Sequence, residues 1–292
     1  MQSFDHTIRP GVVLFLGGAD DRTDRVQLSS GTIAAPDATP AGRYEEGARI
    51  PRSDWRNLTT ADRRALIAES CPKFYDNAIS IVRLPSQLLE PFASLREASA
   101  EYRSEEELKP IIGSENCSQG TNAIVEHLQR HFQHPDACAS GGFHMDTWIS
   151  ARPPGLPSVT AEGDTDALVG LHVDSWSWLD FGLSYRRHSP NRMCVNLGLE
   201  DRFFLFLNIP VDQVYELMND KNPNSVRPYF PSAFATEFMR SYPYYPVVRV
   251  RIRPGEAYIA PPENIAHDGS SIDKNTMDVT LSIRGRFSLC PT

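Results

Sequence analysis

The chain is poor in cysteine, in net positive charge and in long apolar runs, and each shortage closes off a class of protein. Its five cysteines (Cys71, Cys117, Cys138, Cys194 and Cys290) stand far apart among 292 residues, with no C-x-x-C pair. Neither a disulfide framework nor a structural zinc is expected from that pattern; reduced thiols and a cytoplasmic location are. Lysine and arginine total 29 against 37 aspartates and glutamates, a formal net charge of -8. Nucleic-acid binders usually carry a basic face, so no nucleic-acid partner is expected. No run approaches the roughly 18 apolar residues that a spanning helix needs, so no membrane partner is expected either. The start, Met1 to His6, lacks the basic and apolar regions of a secretory leader. No internal repeat is visible.

What is present is a soluble-protein composition, 40% hydrophobic and 10% aromatic, in a chain long enough for a large core. We read residues 1–292 as a single domain in two parts. Residues 1–141 are expected to be helical and irregular. They hold a short strand at Val12–Leu16, a helix after Thr59 or Thr60, another over Leu88–Leu108, and a third over Asn122–Phe132. From Gly142 the pattern changes to short strands bounded by proline and glycine: Phe143–Arg152, Ala167–Asp174, Arg192–Leu199, Phe203–Ile209, Val247–Arg253, Glu256–Ala260 and Asp278–Phe287. A helix near Val211–Asn219 interrupts them. The expected fold class is α+β, mainly β, with a jelly-roll core over 142–292 flanked by the N-terminal helices.

Three residues carry the chemistry. His172 and Asp174 end an apolar strand-like run, and alternation puts residues i and i+2 on one face, so imidazole and carboxylate both point at one ion. His267 follows another strand, Glu256–Ala260, on what reads as a rim loop. Two histidines and one carboxylate leave the opposite coordination positions open, as in non-haem Fe(II) oxygenases. His144 and Asp146 form a competing pair with similar alternation. His134 and Asp136 are spoiled by the proline between them. On the last strand Val279, Leu281 and Ile283 share one face, and Thr280, Ser282, Arg284 and Arg286 share the other. If that second face turns inward, its hydroxyls and guanidiniums need an anion, and arginine grips a carboxylate with two charged hydrogen bonds; otherwise it is a strand face in water. Arg192, Cys194 and Asn196 alternate likewise, so Arg192 or Asn196 is a further carboxylate contact or plain structure. Trp176, Trp178 and Phe181 are candidates for a substrate-pocket wall.

The set His172, Asp174, His267 and a basic residue on the final strand resembles the Fe(II)/2-oxoglutarate-dependent dioxygenase superfamily over roughly Gly142–Phe287. The resemblance implies a double-stranded β-helix and Fe(II) held by His172, Asp174 and His267. It implies 2-oxoglutarate held at its C5 carboxylate by Arg284, helped by Ser282, with Arg286 as the alternative. O2 is the oxidant. The implied reaction is oxidation of a substrate C–H bond, hydroxylation by default, with desaturation or cyclisation using the same site. Because Asp174 is present, halogenation is disfavoured. The expected substrate is a small polar metabolite such as an amino acid or a specialised-metabolism intermediate. The rival readings are an iron oxidase that needs no 2-oxoglutarate, a non-catalytic jelly-roll binding protein, and a zinc hydrolase using Asp268 as base.

Overall fold

The computed structural model describes residues 8–17, 24–36, 38–39, 42–72, 77–132, 146–162, 166–175, 183–221 and 231–291. In chain order its strands begin with β1 (Val13–Phe15), β2 (Val26–Ser29), β3 (Thr32–Ala34), β4 (Ala38–Thr39), β5 (Gly42–Pro51), β6 (Arg56–Asn57) and β7 (Ala78–Arg83). They continue with β8 (Asp146–Arg152), β9 (Ala161–Glu162), β10 (Ala167–Gly170), β11 (Asn191–Asn196) and β12 (Arg202–Pro210). The last four are β13 (Val247–Ile252), β14 (Glu256–Ala260), β15 (Ile265–Ser270) and β16 (Asp278–Gly285). The helices are α1 (Thr60–Leu66), α2 (Ala93–Glu101), α3 (Glu105–Ile112), α4 (Glu115–His131), α5 (Val211–Lys221) and α6 (Pro231–Ser241). The protein is thus α+β and mainly sheet. Among the described residues no helix is long and apolar enough to cross a membrane.

Capping explains where the first helices start and stop. The Thr59 hydroxyl accepts from the Asp62 N–H while the Asp62 carboxylate accepts from the Thr59 N–H, a reciprocal cap that starts α1. Ser104 and Glu107 repeat the device at α3. Their cap splits the helix expected over Leu88–Leu108 into α2 and α3, with extended backbone at Tyr102 and Ser104 between them. The Ser114 hydroxyl accepts from the Cys117 N–H, so α4 starts earlier than its apolar residues suggest.

Two sheets position the site. One runs in the order β1-β7-β14-β11-β16-β8 and the other β15-β12-β13-β2-β6; a third, β3-β5-β10-β9, lies beside them with β4 paired to β5. The first sheet buries one face under the helices, where Met193, Val195, Leu281 and Ile283 meet Phe92, Leu95, Ile124 and Leu128. Its opposite face meets the second sheet: Cys194, Tyr258 and Ala260 pack against Phe204, Phe206, Val250 and Ile265. Phe204 stacks on Tyr258 with ring centroids 3.9 Å apart. Burying each such ring is worth about 1.5–3 kcal/mol. β12 is buried at every position, as its two-sided apolar sequence requires.

Charge closes one end of the intersheet space. Arg202 Nε lies 3.1 Å from Asp278 Oδ1, and Lys274 Nζ lies 3.3 Å from the same oxygen. Arg25 and Glu256 pair at 2.7 Å, both almost fully buried. Removing one member of such a pair costs about 3–5 kcal/mol, because the other charge stays buried.

Three expectations change. The N-terminal part holds more strand than the one expected at Val12–Leu16: β7 joins β1 to widen the first sheet, and β2 and β6 widen the second. Their pairing runs across the chain, with Val26 opposite Val250 and Ile81 opposite Tyr258. His267 sits not on a rim loop but inside strand β15, which is buried throughout. Cys71 and Cys290 form a disulfide spanning 219 residues, so the expectation of wholly reduced thiols fails for this pair. Chain separation hid it, since only the fold brings the segment after α1 to the C-terminal segment. Cys117 and Cys194 are buried free thiols; Cys138 lies outside the described residues.

Candidate metal centre

His172, Asp174 and His267 come together: their ligand atoms all lie within 4.8 Å of one another. Backbone pairing assembles them. The His172 N–H donates to the His267 carbonyl at 3.1 Å and the His267 N–H returns a bond at 2.8 Å. The Asp174 N–H donates to the Pro262 carbonyl at 3.0 Å, which continues the zipper. The anticipated alternation holds, although β10 ends at Gly170 and the two ligands follow it. Leu171 and Val173 point into an apolar cluster with Leu205, Leu207 and Ala266. His172 and Asp174 take the other face.

Both imidazoles are oriented in the same way. His172 Nδ1 lies 2.8 Å from the Gly170 carbonyl and His267 Nδ1 lies 3.1 Å from the Ile265 carbonyl. A carbonyl only accepts, so each Nδ1 carries the hydrogen and each Nε2 faces the cluster; this is the usual support for a metal-binding histidine. Gly170 makes the first of these contacts possible. Its φ is +75°, and a Cβ there would lie 2.5 Å from the Arg49 carbonyl oxygen.

Distances and charge suit a cation. His172 Nε2 is 3.2 Å and His267 Nε2 3.8 Å from Asp174 Oδ1. Donors at right angles, each about 2.1 Å from one ion, stand about 3 Å apart, so an ion would draw these atoms, now within 4.8 Å of one another, closer together. Burial opposes charge on Asp174, but Arg192 and the two imidazoles hold it well below the ordinary carboxylate range. Burial drives His267 down to about 3, helped by Arg192 and His172 against the pull of Asp174. Burial also opposes protonation of His172, yet the Asp174 hydrogen bond and the Asp268 and Asp174 charges raise it. The neutral His267 and the ionised Asp174 are the protonation states that ligation requires.

Arg192 enters this cluster directly. One guanidinium nitrogen lies 3.0 Å from Asp174 Oδ2 and another 2.6 Å from His267 Nε2. On the neighbouring strand Arg284 stands opposite Arg192 in register. Arg284 Nη2 donates to Glu263 Oε1 at 3.1 Å, and its Nη1 lies 3.7 Å from Asp146. Ser282 is buried on the same face of β16. Arg286, beyond the strand, donates to the His188 carbonyl at 2.7 Å. Asn196 sits at the far end of β11, where it donates to the Glu200 and Ile252 carbonyls and accepts from the Gly198 N–H. It shapes the β11–β12 turn. Trp176, Trp178, Phe181 and His144 lie outside the described residues.

Sequence reasoning missed two participants. Glu263 is 1% exposed and holds Arg284. Arg186 donates to the Asp174 carbonyl at 3.3 Å and to the Glu263 carbonyl at 3.1 Å, tying both loops together. The position of Glu263 just before His267 was the available signal; Arg186, within the short 3-10 helix Leu183–His188, offered none. Asp268 faces away from the cluster. Its carboxylate accepts from the Ser158 hydroxyl, from the Thr160 hydroxyl at 2.7 Å and N–H at 3.2 Å, and from the Gly269 N–H at 2.7 Å. A carboxylate so occupied is a poor general base, which removes the basis for the zinc-hydrolase reading.

Comparison with known proteins finds no family model, no curated sequence and no solved structure that matches the chain. The function therefore rests on the geometry.

Proposed function

We propose that this chain is a non-haem Fe(II)/2-oxoglutarate-dependent oxygenase that oxidises a C–H bond of a small polar metabolite. The observation that carries the reading is the meeting of His172, Asp174 and His267 with both Nε2 atoms turned inward. Two imidazoles and one carboxylate on one side of an ion leave the remaining positions for cosubstrate and O2.

Strand order supports a jelly roll wound around this site. β8, β11, β14 and β16 enter one sheet; β12, β13 and β15 enter the other, and His172 bridges to β15. Apart from the β12–β13 pair, which stays within one sheet, the chain thus passes back and forth between two sheets, as in a jelly roll. In this reading His172, Asp174 and His267 hold Fe(II). Iron held there would supply O2 activation coupled to decarboxylation of 2-oxoglutarate to succinate and CO2. The chain's own task is orientation. Arg284, with Ser282 beside it on the same face, grips the C5 carboxylate of the cosubstrate. Arg186 fixes the loops that carry Asp174 and Glu263.

One observation favours a second reading. Arg284 is already paired with the buried Glu263, so a cosubstrate carboxylate must compete for it. An iron oxidase that uses no 2-oxoglutarate avoids that competition. Anaerobic Fe(II) and 2-oxoglutarate should give a visible charge-transfer band that disappears in Asp174→Ala, and O2 should then yield succinate. Iron binding without the band or succinate would select the oxidase; absence of stoichiometric metal would leave a binding protein.

A further inference from the structure

Arg192 has a place that neither the oxygenase reading nor the fold explains. Its side chain is only 14% exposed, and its guanidinium is directed at the ligand atoms. His267 Nε2 offers one lone pair, and at 2.6 Å the Arg192 N–H uses it. The carboxylate is divided as well: Asp174 turns Oδ1 to His172 and Oδ2 to Arg192. The guanidinium therefore makes the contacts that a cation would make with two of the three ligands.

We propose that Arg192 is an internal stand-in for the metal, which keeps the ligands assembled without an ion and must let go of His267 when one arrives. The proposal rests on the reading of His172, Asp174 and His267 as a divalent-metal site. Displacing Arg192 leaves a buried guanidinium in search of an anion, because an unpaired buried charge is costly. The other carboxylates of this region are already taken, Asp268 by Ser158, Thr160 and the Gly269 N–H and Glu263 by Arg284. A carboxylate brought by a small ligand satisfies the released group. Metal and carboxylate ligand then favour each other's binding, and the coupling is reciprocal.

Mn(II), which binds oxygen and nitrogen ligands without turnover, tests this by calorimetry on the full-length protein. Removing the competitor in Arg192→Gln should tighten Mn(II) binding by roughly 5- to 150-fold, the usual span of such couplings. 2-Oxoglutarate should tighten Mn(II) binding more in the wild type than in R192Q. A purely structural Arg192 gives the opposite result, since its loss would loosen the ligands and weaken binding. If R192Q does not fold by circular dichroism, Arg192→Lys decides, because an ammonium cannot reach Asp174 and His267 with one fork. Mn(II) bound more tightly by R192K than by wild type supports the stand-in. Equal or weaker Mn(II) binding in a folded variant overturns it while the metal site stands. Failure of every form to bind Mn(II) overturns the metal reading itself, and the stand-in with it.

Discussion

Replacing Gly170 by alanine should damage the fold and the metal centre together. Gly170 holds a φ of +75°, where an L side chain costs about 1–2 kcal/mol. The new Cβ would also lie 2.5 Å from the Arg49 carbonyl oxygen and 2.9 Å from its nitrogen. Both are backbone atoms bonded into the β5–β10 pairing, so relief requires the strands to part. Local strain of this kind adds about 1–3 kcal/mol, giving a loss of about 2–5 kcal/mol in urea denaturation. The second consequence is chemical. The Gly170 carbonyl accepts the His172 Nδ1 hydrogen at 2.8 Å, and loss of such support typically weakens metal binding about 10- to 100-fold. Gly155 is the control: its φ is +81° but nothing lies within 4 Å of a Cβ there, so G155A should show the backbone cost alone and leave metal affinity intact. If G170A matched G155A in both denaturation and Co(II) titration, the coupling of this turn to the centre would be refuted.

Other outcomes follow from features already described. Arg284→Ala should raise the KM for 2-oxoglutarate by roughly 10- to 150-fold, the worth of a charged hydrogen bond, and an unchanged KM in steady-state succinate assays would remove Arg284 from that role. Cys71→Ser opens a loop of 219 residues and should lower stability by about 2–5 kcal/mol in non-reducing denaturant, with no loss in reducing buffer, where both proteins lack the bond. Glu200 accepts four hydrogen bonds from Asn275 and Thr276. Despite opposing burial, these bring it from 4.5 to about 2. Its carboxylate therefore stabilises the fold above pH 4.5, and that contribution fades as pH falls toward 2. The stability gap between wild type and Glu200→Gln should close over that window in acid titrations followed by fluorescence.

The central strands and the ligand set were legible because both depend on local alternation. His172 with Asp174, and Arg192 with Arg284, follow from period-two patterning. The burial of Phe203–Leu207 follows from apolar residues on both faces. β15 was not legible: Ile265–Ser270 is small and polar, and it is buried because Ser158 and Thr160 satisfy Asp268 from another segment. Apart from β1, which the apolar run Val12–Leu16 announced, the early strands were hidden for a related reason. Gly42–Pro51 looks like a loop by composition and becomes a strand through partners elsewhere in the chain. Glu263 and Arg186 matter only through contacts that the fold creates. Local chemistry announced the ligands, whereas their supports are products of tertiary structure.

The cross-chain pairing of the outer strands also sets a timetable for biosynthesis. Gln27 on β2 and Arg249 on β13 hydrogen-bond across 222 residues of chain. A ribosome adding roughly 5–20 residues per second leaves the early strand waiting about ten to forty-five seconds for its neighbour. During that interval the first-made strands are naked adhesive ribbons, and crowding of nascent chains on a polysome is the moment of greatest hazard for this protein.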